Sequence, residues 1–73
     1  MNENSTRSRI LLIAQEMTGA EHAGETKMTD MSMDSIDRVD FIMRIETEFN
    51  VVIDDYAAMN FKTVNDIVNY LCA

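Results

Sequence analysis

The chain has 73 residues, room for one domain that buries only about 60% of the surface its unfolded form exposes, so modest stability is expected. A hydrophobic fraction of 47%, no proline, and glycine only at Gly19 and Gly24 exclude a turn-rich β fold and favour an all-α bundle. The net charge of -7 is uneven, since seven acids between Asp34 and Asp55 face only Arg38 and Arg44; this field repels nucleic acid and attracts basic protein surfaces.

The opening stretch Met1-Asn2-Glu3-Asn4-Ser5 lacks the basic and apolar regions of a signal peptide, and no apolar run approaches the roughly 18–20 residues that span a bilayer. One cysteine, Cys72, cannot form an internal disulfide. A cytoplasmic protein without membrane insertion is the expectation. From Ser5 or Thr6 to Met17, the residues Ile10, Ile13, Ala14 and Met17 recur at three- and four-residue spacing, which predicts a first helix with one buried face. Leu11 and Leu12 widen that stripe, and part of Leu12 is expected at the surface. Residues 18–33 show no sustained period and contain both glycines, so a long loop is expected. Its methionines Met28, Met31 and Met33 are flexible apolar pegs able to pin it over the core, with room for one short helical turn.

The second helix is predicted over Ser35–Phe49. Asp34 suits the N-cap because its carboxylate accepts hydrogen bonds from free first-turn amides, worth roughly 0.5–2 kcal/mol, and Asp37 stands where a capping box has its far half. Ser35 is then the first helical residue, exposed and held in place. At about 100° per residue, Phe41, Ile42, Ile45 and Phe49 share one arc, the core face, while Ile36, Val39 and Met43 share a second arc roughly opposite. Core packing accounts for the first arc only. The outer arc, flanked by Asp40 and Glu46, has the apolar centre and charged rim of a protein interface, though contact with the long loop is an alternative use. Asp40, Arg44 and Glu48 at i, i+4 and i+8 let the arginine bridge two acids for a few tenths of a kcal/mol per pair.

Asn50 suits a helix end, Val51-Val52-Ile53 an apolar connector, and Asp54 or Asp55 the cap of a brief helix through Met59. Thr63 with Asp66 caps a last helix whose inner face is Val64, Ile67, Val68 and Leu71. The expected architecture is three main helices plus one short helix. Enzyme chemistry finds little support. The sole histidine, His22, lies in the long loop, and Ser35 has no glycine-rich elbow around it. A calcium loop starting at Asp30 would place Ser35 and Phe41 where glycine and glutamate are required, and one histidine with one cysteine cannot complete a zinc site. No metal site is expected.

Met33-Asp34-Ser35-Ile36-Asp37 followed by Val39-Asp40-Phe41-Ile42-Met43 resembles the acyl carrier protein signature, D-S-L-D with a following V-E-L-V-M. Glu46-Thr47-Glu48-Phe49-Asn50-Val51-Val52-Ile53 and Lys62-Thr63-Val64-Asn65-Asp66-Ile67-Val68-Asn69-Tyr70-Leu71 resemble the family's later E-E-E-F-G-I-x-I and T-T-V-x-D-A-V-x-Y-I stretches, so the likeness covers nearly the whole chain. The resemblance implies that Ser35 is the attachment point of 4'-phosphopantetheine, added from coenzyme A by a magnesium-using phosphopantetheinyl transferase. It implies a monomeric carrier and not an enzyme: acyl intermediates of fatty-acid, polyketide or specialised lipid synthesis would ride as thioesters on the arm, often sheltered between the helices. It implies acyl-loading and acyl-processing partners docking through basic residues onto the second helix, at Asp34, Ile36, Asp37, Val39, Asp40, Met43 and Glu46.

Departures from the pattern are Ser32 for a frequent glycine, Ile36 for leucine, Thr47 within the acidic trio and Asp54 for a frequent proline. Arg38 and Arg44 dilute the acidity of the second helix and point towards a specialised pathway, whereas Asp34 before the serine speaks against a peptidyl carrier. A phosphodiester on Ser35 is favoured by the exposed first-turn amides but repelled by Asp34 and Asp37, so an outward-pointing arm is expected. The competing reading is an unmodified acidic helical adaptor that binds a basic protein by the same surface. Because like charges crowd residues 34–55, added salt or magnesium should raise the melting temperature; a salt-independent thermal transition, followed by circular dichroism, would show the acids already paired.

Overall fold

The computed structural model describes residues 2–73. Four helices follow in order: α1 (Glu3–Thr18), α2 (Ser35–Phe49), α3 (Asp55–Asn60) and α4 (Val64–Cys72). Among the described residues there is no strand, only an isolated bridge between Lys27 and Thr63. The all-α expectation of three main helices and one short one, with a long loop after the first, matches this arrangement.

Each helix starts at a side chain that satisfies free amides. Asn2 accepts from the Ser5 amide at 3.1 Å, so α1 begins earlier than the expected Ser5 or Thr6. The reason is that Thr6 is inside: it is 2% exposed, and the Cys72 thiol lies 3.7 Å from its hydroxyl. Asp34 accepts from the Asp37 amide at 2.8 Å and opens α2 at Ser35, as its sequence indicates. Asp37 makes no return bond, so this cap is one-sided, unlike the reciprocal box at α4, where Thr63 and Asp66 each accept from the other's amide. Gly19 at φ 75° and Asn50 at φ 53° end α1 and α2 in the left-handed conformation that releases the chain.

Helix α1 packs against both α2 and α4. Ile10, Ala14, Phe41, Ile45, Val64, Ile67 and Val68 are fully buried and form one cluster. Met28 and Met31 join it at 2% and 0% exposure, so the long loop does supply pegs to the core. Met28 opens a short 3-10 turn, Met28–Asp30. Backbone bonds hold the loop to the start of α4: the Met28 amide donates to the Lys62 carbonyl and the Asn65 amide to the Gly24 carbonyl, both at 2.8 Å. The Asn65 side chain then accepts from Arg7 Nε at 2.8 Å, tying α1 to the same point. Gly24 is buried against Asn65, and a side chain there would run into it. Helix α3 buries no residue fully. It is held by the Asp54 cap, by the Asp54 amide donating to the Tyr70 hydroxyl at 3.4 Å, and by Phe61, whose ring meets Tyr70 edge-on at 5.5 Å.

Ser32 occupies the left-handed region at φ 57° with its side chain exposed. Glycine at that position in related signatures now has a backbone reason, because a Cβ is penalised there. Ser32→Gly should stabilise by about 0.5–1 kcal/mol, raising the melting temperature by roughly 2–8 °C in a domain of this size. Thermal unfolding followed by circular dichroism reads this, and an unchanged or lower midpoint would show that the bend at Ser32 is not strained.

Candidate functional site

The N-terminal end of α2 presents Ser35 as its first residue. The long loop reaches this point through Met31, fully buried three residues before the cap, so the cap is anchored from one side by the core and from the other by the helix. Ser35 is exposed and its hydroxyl has no hydrogen-bond partner among the described residues, leaving the oxygen free for bond formation. First-turn amides carry the partial positive charge of a helix start, which suits a phosphoryl group on that oxygen.

Beside Ser35 an open groove of about 590 Å³ runs between α2 and α3. Met28, Val39, Ile42, Met43, Ile53, Ala58 and Met59 make it mostly apolar, and Arg38, Glu46 and Asp55 are its charged lining. Ser35 itself borders it. A hydroxyl with no competing bond, at the mouth of an apolar trough, fits a long prosthetic arm with an acyl cargo: the arm has an attachment point and the cargo has a dry surface. A second depression of about 430 Å³ between α1 and α2 is bordered by Ile13, Asp40, Met43 and Glu48 but not by Ser35.

The expected docking residues divide into three groups. Asp34, Asp37 and Ile36 are exposed at the helix start, Ile36 at 79%, with the Asp34 carboxylate also accepting from the Asp37 amide. Val39 and Met43, at 60% and 58%, are exposed as the wheel indicates, yet they also form the lip of the groove, alongside Met28 of the loop. Asp40 and Glu46 are half-buried and already engaged. Arg44 Nε donates to Asp40 at 3.1 Å, and the Glu46 carboxylate accepts from the Ile53 amide at 2.8 Å, fastening the connector that leads to α3. Arg44 does not bridge to Glu48 as local spacing suggests. Glu48 pairs instead with Arg9 of α1, a contact between residues far apart in sequence.

Arg38, Ala58 and Met59 line the groove and were not singled out by the sequence pattern. The available signal for Arg38 is its place one turn after Ser35. For Ala58 and Met59 there is none, since a helix this short leaves its facing undetermined by periodicity. Helix α3 and its approach also expose Val52, Tyr56 and Met59 at 87%, 76% and 81%.

Residues 8–71 match the family described as phosphopantetheine attachment site. The chain is 35% identical over 68 residues to the acyl carrier protein of Thermotoga maritima, covering 88% of this chain and 84% of that protein. It is 36% identical over 72 residues to the acyl carrier protein of Trieres chinensis, covering 93% and 90%. A crystal structure of an acyl carrier protein from Thermotoga maritima superposes with a TM-score of 0.80 at 25% identity, over 99% of this chain and 88% of that one. Family match, relatives and fold agree: the chain belongs to the acyl carrier protein family, a family of phosphopantetheine-bearing carriers and not of enzymes.

Proposed function

We propose that Ser35 is the residue that bears 4'-phosphopantetheine and that α2 is the surface on which a transferase and acyl-processing enzymes dock. The observation that carries this reading is the exposed, unbonded Ser35 hydroxyl at a capped helix start beside an apolar groove. The bound arm supplies a terminal thiol that holds acyl groups as thioesters. The chain's own contribution is positional. Asp34 holds the helix start, Met31 holds Asp34, and Val39, Met43 and Met59 offer apolar surface to a cargo.

Partner recognition rests on Asp34, Asp37 and Ile36, which are exposed, with Val39 and Met43 as the apolar centre. Asp40 and Glu46 belong to the same face; Asp40 is offset by Arg44 and adds less to the docking field than a count of acids suggests, whereas Glu46, bonded to the Ile53 amide, keeps its charge. The partners this face suits carry basic patches. Arg38 and Arg44 on the docking helix fit a carrier for a specialised acyl pathway, polyketide or modified lipid, working as a monomer in the cytoplasm. No helix among the described residues is long and apolar enough to cross a membrane.

Incubating the purified chain with coenzyme A, magnesium and a broad-specificity phosphopantetheinyl transferase should add the mass of one phosphopantetheine, and Ser35→Ala should abolish the gain. An unchanged intact mass in the parent chain would leave the unmodified adaptor. Asp37→Ala should slow modification on the order of tenfold, the cost of about 1.4 kcal/mol of lost interaction with a basic partner. Helix content should barely change, because the Asp37 side chain caps nothing. Equal initial rates for the variant and the parent would remove Asp37 from the transferase surface.

A further inference from the structure

The charged residues that flank Ser35 are arranged unequally around the helix. Asp34 and Asp37 do not border the groove, whereas Arg38 does. At about 100° per residue, Arg38 lies roughly 60° round the helix from Ser35 and Asp37 lies on the far side, roughly 160° away. Arg38 is half-buried, and its one side-chain hydrogen bond among the described residues is a marginal 3.5 Å donation from Nη2 to the Phe61 carbonyl. No carboxylate pairs with it among the described residues, since the ion pairs there are Arg9 with Glu48 and Arg44 with Asp40. Of the two acids in the groove, Glu46 is held by the Ile53 amide and Asp55 sits at the start of α3. A half-buried arginine with most of its donors unused among the described residues therefore borders an apolar trough one turn from the Ser35 hydroxyl.

We propose that Arg38 is a positioning residue that engages the phosphodiester on Ser35 and turns the arm into the α2–α3 groove, away from solvent. The proposal rests on Ser35 being the attachment point. Side chains three apart on a helix are neighbours, and a long side chain leans towards the helix N-terminus, so the guanidinium can leave the weak Phe61 contact and reach a phosphoryl group on Ser35. Guanidinium and phosphate pair through parallel hydrogen bonds, which sets direction as well as attraction. Asp34 and Asp37 repel the same phosphate and alone favour an outward arm; pairing with Arg38 opposes that repulsion and draws the arm to the groove side of the helix.

The test compares amide NMR spectra of unmodified and modified protein for the parent chain, Arg38→Gln, Arg38→Lys and Arg44→Gln, with each modification verified by intact mass. In the parent, modification should shift Val39, Ile42, Ala58 and Met59 as well as the residues next to Ser35. Arg38→Gln should shrink the groove shifts roughly fivefold, the population change that one charge pair about 4 Å apart produces under aqueous screening. Arg38→Lys should largely keep them and Arg44→Gln should leave them as in the parent. Equal groove shifts in Arg38→Gln and the parent, or parent shifts confined to residues 34–37, would overturn the proposal. The Arg38 Nε–H resonance of the parent is a second readout that needs no variant, and its failure to move on modification would also overturn it. If the parent gains no mass, it is the attachment reading that falls.

Discussion

Met31 is the point on which the arrangement depends. The long loop contributes to the core of the three principal helices by placing Met28 and Met31 inside it. Burial of Met31 fixes the chain three residues before Asp34, and the Asp34 carboxylate then dictates where α2 begins. The Ser35 hydroxyl thus stands at the surface beside a cap whose own bond does not involve it. Loop-borne methionine suits this task because an unbranched side chain adapts to the gap the helices leave.

Helix α2 serves two environments with one set of residues. Phe41 and Ile45 belong to the core, Ile36 to solvent, and Val39 and Met43 to the lip of the groove, where a cargo and a docking enzyme would compete for the same atoms. Its charges are divided in the same manner. The acids at the helix start are exposed, with Asp34 capping the Asp37 amide, those further along are engaged with Arg44 and with the backbone of Ile53, and Arg38 borders the trough. The net charge of the segment conceals this division, which only the three-dimensional arrangement resolves.

Much of the fold was legible because its boundaries are written in local chemistry. Asp34 and Asn50 bracket α2, and Thr63 with Asp66 opens α4, in each case through hydrogen bonds within a few residues. The start of α1 was harder to read because Asn2, Asn4, Ser5 and Thr6 are all competent caps, and the choice among them follows from Thr6 being drawn inside beside Cys72. Arg44 was expected to serve two acids, yet Glu48 found Arg9 on α1, a partner that helical spacing cannot reveal. Ser35 was legible from its cap and its signature. The groove was not, because it is a relation between α2 and α3, and nothing in the six residues of α3 states which way that helix faces.

The tethers of the long loop are unevenly spread along it. Gly24 and Met28 hold it to the start of α4 through backbone atoms, and Met28 and Met31 hold it to the core. Ahead of these points Ala20 and Glu21 are exposed, and the bonds at Ala20 reach no further than Thr18. The pair Ala20–Glu21 is therefore a splice point, ahead of His22 and Ala23, which are half-buried and bonded to Thr18 and Thr26. Extra residues or a reporter peptide placed there would lengthen the loop on its slack side, leaving the register that delivers Ser35 to the surface unchanged.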